Sequence, residues 1–186
     1  ITVNPEIDAV SIGLVALGGT SGYAGEIGHT LVNSSGAACH CGASGCLETE
    51  VSRGPLLDVL GLDRPELLEA ALLERYAAGD PDVVALVDRQ SAFLARALAN
   101  TVNVLNPRLI VLGGFLGSLY AAAPEALSAA VASLALVGPR SEVQLARATL
   151  GNAILTVGAA EIAFAKLIDD PAASAVSDKD PTSASL

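Results

Sequence analysis

Glu26-Ile-Gly-His29 and, ten positions on, Cys39-His-Cys-Gly-Ala-Ser-Gly-Cys46-Leu-Glu48 hold all three cysteines and both histidines of this chain. One imidazole and three thiolates are the ligand set of a closed Cys3His zinc site. Glycines at 42 and 45 let the backbone turn tightly enough for Cys41 and Cys46 to converge on one ion. The spacing predicts a metal-ordered loop over 29–48, with His29, Cys39, Cys41 and Cys46 as ligands and the side chain of His40 turned away. One disulfide plus a spare thiol, or three inert buried thiols, also fit the count. Against them, Cys39 and Cys41 are too close for an easy bridge and an odd number pairs badly. Nothing marks the chain as secreted, and a reducing compartment favours metal. Glu26 and Glu48 frame the cluster, so the stretch reads as a ligand site held rigid by a structural ion.

Strands alternate with helices on either side of this loop, which predicts an α/β layered domain. Residues 7–17 read as a largely buried strand, and Thr30 to Val32 as a short one. Helices are expected around 49–60, ending near Gly61, and over 65–78, closed by Gly79. Asp80-Pro81 opens the longest helix, with Val83, Val87, Leu94, Leu98 and Leu105 as its apolar stripe, and Asn106-Pro107 stops it. A buried strand from Arg108 runs into the Gly113-Gly114 turn. A helix at about 122–135 ends before Gly138-Pro139, Glu142 to Thr149 reads as a strand with one exposed face, and a last helix covers about 155–168. One lobe over 1–170 and a disordered tail over 171–186, rich in Ala, Ser, Asp and Pro, complete the expected organisation.

Composition excludes some partners. The chain has 186 residues, 52% of them apolar but only 3% aromatic, so a core of Leu, Val, Ile and Ala is expected. Its net charge is −10, with ten lysines and arginines scattered singly. Nucleic-acid binding draws most of its affinity from such residues, so direct nucleic-acid contact by this chain is not expected. No uninterrupted apolar run reaches membrane-spanning length and no basic-then-apolar leader appears, which points to a cytoplasmic protein without membrane contact. There is no methionine, position 1 included, so the chain is expected to be processed, truncated or part of a longer product.

The motif Glu26-x-Gly-His29 with Cys39-x-Cys-Gly-x-x-Gly-Cys46-x-Glu48 closely resembles the signature of the ROK family of repressors and sugar kinases. The rest of the chain resembles that family's C-terminal lobe, which implies an actin-like, sugar-kinase (ribonuclease H-like) fold with an inserted zinc loop. The resemblance implies structural zinc on His29, Cys39, Cys41 and Cys46, and Glu26, His29 and Glu48 facing the hydroxyls of a small neutral sugar or amino sugar. Carboxylates accept strong hydrogen bonds from such hydroxyls. It also implies a homodimer, and it matches Gly113-Gly114 to the turn that packs against the adenosine of ATP in the kinases, although Phe115 stands where a small residue is usual.

Family features are also missing. There is no Asp-x-Gly-x-Thr phosphate loop and no Asn-Asp pair to supply a general base; Leu17-Gly-Gly-Thr20 lacks the aspartate. Residues 2–19 fit either the first strands of the N-terminal lobe, with most of that lobe missing after Gly19, or a shortened strand leading into Glu26. Ser21-Gly-Tyr-Ala-Gly-Glu-Ile-Gly-His29 and Gly-Gly-Phe115 are more similar to the repressor branch. The expected function is the sugar-sensing domain of a ROK transcriptional repressor, without its DNA-binding part and itself without activity. The alternative is the C-terminal lobe of an ATP- and magnesium-dependent hexose kinase, of glucokinase or N-acylhexosamine kinase type. A zinc-stabilised oligomerisation module is a third reading.

Overall fold

Branched residues near the N-terminus form short strands: β1 (Thr2–Val3), then β2 (Ser11–Ile12) paired antiparallel with β3 (Val15–Ala16). The computed structural model describes residues 2–3, 11–12, 15–16, 19–21, 23–150 and 154–170. Helices follow the loop region: α1 (Leu47–Glu50), α2 (Arg53–Leu60), α3 (Leu68–Ala77) and α4 (Pro81–Leu105). Next come β4 (Leu109–Leu112), α5 (Gly114–Ala122), α6 (Pro124–Leu134), α7 (Val137–Arg140) and β5 (Gln144–Arg147). These elements belong to one compact unit, Ile1–Gly151. A second unit, Asn152–Leu186, carries α8 (Ile154–Asp169).

The long α4 has a sequence reason for each end. Asp80 caps it, its carboxylate accepting the N–H of Asp82 at 3.1 Å and of Val83 at 3.3 Å, and Pro81 takes the first helical position, where a missing N–H costs nothing. Asn106 leaves the helix in the left-handed region at φ 45°, and Pro107 cannot continue it. Val83, Val87, Leu94 and Leu98 are buried as the period requires. Leu105 is not; it lies partly exposed in the last turn, and Val102 holds the core position there. Helices α1, α2 and α6 pack along α4, and α3 packs against α5.

Strand β4 lies between β1 and β5, all parallel, with Val3 opposite Leu112 and Leu112 opposite Arg147. Parallel neighbours need a crossover, and α5, α6 and α7 supply it between β4 and β5. Ile110 and Leu112 turn into the core.

Several expected boundaries differ. Within 7–17 the described residues form the β2–β3 reversal rather than one strand, and the others lie outside the described residues. Thr30 to Val32 contributes only an isolated antiparallel bridge, Leu31 to Cys46. The helix expected at 49–60 is split into α1 and α2 around Val51-Ser52, where the chain is extended. Helix α5 follows Gly113 at once, and Gly138-Pro139 sit inside α7 rather than breaking the chain. The expected tail, 171–186, lies outside the described residues. No single described helix is long and apolar enough to cross a membrane.

Candidate metal and ligand site

Two backbone devices build the loop. A single 3-10 turn, Ile27–His29, follows Glu26, with the N–H of His29 bonded to the carbonyl of Glu26 at 3.2 Å. Glu26 caps this turn in a non-helical conformation, φ −64° and ψ 61°. A tight hairpin over 37–45 carries the first two thiols: Gly45 N–H bonds Ala37 O at 2.8 Å, and Cys39 N–H bonds Ala43 O at 2.8 Å. Gly45 is at φ +74°, and a Cβ there would fall 1.7 Å from the carbonyl oxygen of Asn33. No other residue fits.

His29, Cys39, Cys41 and Cys46 come together, their donor atoms all within 4.8 Å of one another. Zinc–sulfur bonds of about 2.3 Å and zinc–nitrogen bonds of about 2.0 Å, set at the tetrahedral angle, give S···S edges of about 3.8 Å and S···N edges of about 3.5 Å. The observed Cys41 Sγ···Cys46 Sγ distance is 3.7 Å, and Cys39 Sγ···His29 Nδ1 is 3.6 Å. The donor set fits zinc in type, number and spacing. All three cysteines are free; Cys39 and Cys46 are buried and Cys41 is exposed.

Glu48 joins the cluster. Its Oε1 accepts the thiol of Cys39 at 2.9 Å and lies 3.5 Å from His29 Nδ1. That hydrogen bond to a carboxylate pushes the Cys39 thiol up to about 12. Backbone N–H donation from Ala43, then the Cys39 contact, lowers Cys41, whereas burial raises Cys46. His40 stays outside the group of three thiols and turns onto Glu48 instead. Its Nδ1 meets Glu48 Oε1 at 3.0 Å, and its exposed ring lies edge-on to His29 with centroids 5.1 Å apart. A carboxylate so close attracts the imidazole, yet only His29 groups with all three thiols.

Glu26 is half-buried beside a groove of about 450 Å³ that runs along Ile27, Thr30, Ala97 and Val104. Gly113 and Gly114 form the turn between β4 and α5, Gly114 at φ +53°. Phe115 is buried in the core, so its bulk is turned inward rather than standing over that turn.

Four side chains missed in the sequence tie the loop and the α1–α2 junction to α4. Glu50 is almost fully buried; it accepts the N–H of Ala37 at 3.0 Å and Arg89 at 2.8 Å. Arg96 donates to Val32 O at 2.8 Å, and Gln90 to Ser52 O at 3.0 Å. The only hint was a charged residue, Glu50, two positions after the motif, where an apolar one would be ordinary.

A family model described as ROK family matches residues 9–166. A glucokinase from Halalkalibacterium halodurans is 36% identical over 122 residues, which are 55% of this chain and 37% of that protein. Among solved structures, a ROK family transcriptional regulator, described as a homologue of the E. coli MLC protein, superposes with a TM-score of 0.58 at 26% identity, covering 71% of this chain and 36% of that one. A ROK hexokinase from Thermus thermophilus gives a TM-score of 0.59 at 29% identity over 87% and 54%. The fold is therefore that of the sugar-kinase class, and the chain spans about a third to a half of the length of these relatives.

Proposed function

Because the chain belongs to the ROK family, we propose that it is the carbohydrate-sensing part of a ROK transcriptional repressor, ordered by structural zinc. One observation carries this reading. Glu48 Oε1 lies 3.5 Å from His29 Nδ1 and 2.9 Å from Cys39 Sγ, so a carboxylate suited to sugar hydroxyls is seated on the thiol cluster itself. His29, Cys39, Cys41 and Cys46 would hold the ion, whose contribution is order in a loop that has little apolar packing of its own. Glu26 and Glu48 would accept hydrogen bonds from hydroxyls of a neutral hexose or amino sugar, and His29 would offer its second ring nitrogen. The likeness to the regulator and the Ser21–His29 phrase support the repressor branch. DNA contact and homodimer formation belong to this proposal, the former outside these residues. A cytoplasmic setting suits three free thiols.

Titration calorimetry with glucose, other neutral hexoses and N-acetylated hexosamines tests it. Glu26→Gln is expected to weaken binding by about tenfold or more, the loss of one charge-assisted hydrogen bond, without altering the melting temperature. No heat and no thermal shift with any of these sugars would sink the proposal.

The likeness to the glucokinase and the hexokinase favours a second reading, the sugar-side lobe of an ATP-dependent hexose kinase. Gly113 and Gly114 would then meet the nucleotide, with Mg-ATP bound between this lobe and another. Sugar phosphorylation by this polypeptide would establish the kinase and remove the repressor reading.

A further inference from the structure

We propose that Cys41 and Cys46 are a peroxide-sensitive thiol pair that closes to a disulfide while Cys39 stays reduced. The loop brings the two sulfurs to 3.7 Å, so they need close by only about 1.7 Å to reach bonding distance. Exposure sets the order of events. Cys41 is exposed and meets the oxidant first, and Cys46 stands buried beside it as the resolving thiol. Cys39 lies within 4.8 Å of both, but it is buried and its thiol is engaged by Glu48 at 2.9 Å. Gly42 and Gly45, both at positive φ, give the short loop its curvature without side chains in the way.

The chemistry balances. The Cys41 sulfur attacks one oxygen of hydrogen peroxide, the O–O bond breaks, and the second oxygen leaves as water with the thiol proton. The product is a sulfenic acid on Cys41. The Cys46 sulfur then attacks the Cys41 sulfur, the S–O bond breaks, and hydroxide leaves with the Cys46 proton as a second water. Two thiols are oxidised and one hydrogen peroxide is reduced, and a dithiol reverses the bond by exchange. The bond occupies two of the four donors proposed for zinc, so its formation would expel the ion and free the segment that positions Glu48. That consequence rests on the zinc reading; the bond does not.

The test treats the purified, metal-free chain with a few equivalents of hydrogen peroxide, then alkylates and maps the peptides. Reactive thiols are expected to fall from three to one, with the peptide holding Cys41 and Cys46 two hydrogens lighter and Cys39 still alkylated. Cys41→Ser should abolish the bond, and Cys39→Ser should leave it intact. A bond that includes Cys39, or sulfinic acid on Cys41 with no bond, overturns the proposal. A zinc-loaded sample is run in parallel, with metal release read by a coloured chelator. A chain that forms the bond but never takes up zinc keeps this inference and removes the metal from the proposed function.

Discussion

Glu50 and Arg89, 39 positions apart, meet through a hydrogen bond of 2.8 Å, the carboxylate almost wholly buried and the guanidinium half exposed. The other oxygen of Glu50 takes the N–H of Ala37, so one carboxylate ties the start of the hairpin to α4. Removing one partner of a buried pair leaves the other uncompensated. Arg89→Ala should cost about 2 kcal/mol, less than for a fully buried pair because Arg89 is partly solvated, and lower the melting temperature by about 5 °C. Glu50→Ala loses both bonds and should cost more, about 3 kcal/mol. Urea unfolding of the two variants and their double mutant measures the coupling; strict additivity would show that the pair contributes nothing jointly.

The elements legible in the sequence were those specified locally. Asp80-Pro81 and Asn106-Pro107 bounded α4 within a residue, and the ligand types sit close enough in sequence to be read as one cluster. Helix α5 was missed because Gly-Phe-Leu-Gly-Ser-Leu-Tyr-Ala-Ala is buried through Phe115 to Leu119, and a helix enclosed on all sides shows no stripe. The anchors of the loop were illegible for a different reason. Arg96 reaches Val32 across 64 positions, and no local spacing encodes such a contact.

Gly45 and Gly42 should respond differently to alanine, although both have positive φ. At Gly45 the new Cβ would overlap the Asn33 carbonyl at 1.7 Å, so the hairpin must open. A loss of at least about 3 kcal/mol and of stoichiometric zinc binding is expected. At Gly42 nothing lies within 4 Å, leaving only the backbone penalty of about 1–2 kcal/mol. Denaturant midpoints and metal content per chain separate the two.

His29 and His40 both approach Glu48, but only His29 groups with the three thiols. His29→Ala should therefore weaken zinc binding by more than about 100-fold, since loss of a ligand exceeds loss of an outer-shell partner. His40→Ala should leave it within about threefold, and competition with a chelator of known affinity reads both. Equal losses would mean that the fourth position is shared.

Asp80 gives α4 a dependence on acid. Hydrogen bonds from Arg75, then the backbone N–H of Val83, hold its carboxyl below the usual range. A carboxyl depressed in the folded state stabilises above its unfolded value of about 3.9, and that contribution is lost as pH falls through the folded value. Asp80→Ala should therefore melt lower than the parent at about pH 6, with the gap closing below about pH 4. A gap that is the same at both pH values would assign the effect to helix propensity rather than charge.

Chelation should loosen the 29–48 loop without melting α4. The loop hydrogen bonds, Val32 N–H to Gly45 O at 2.9 Å and Cys39 N–H to Ala43 O at 2.8 Å, belong to a segment with few buried apolar side chains, whereas Leu94, Leu98 and Val102 are enclosed by the helical core. If zinc orders the loop, saturation at about a thousand times the dissociation constant contributes about 4 kcal/mol to its closure. Amide exchange at Val32, Cys39 and Gly45 should then accelerate by about 100-fold or more on adding a chelator, while the α4 amides from Leu94 to Val102 keep their protection. The same experiment in the Arg89→Ala variant should show faster loop exchange even with zinc bound, because the anchor at Ala37 and the ion restrain the same segment. Unchanged loop protection in chelator would mean that the thiols pack without metal and that Glu50 and Arg96 alone set the loop.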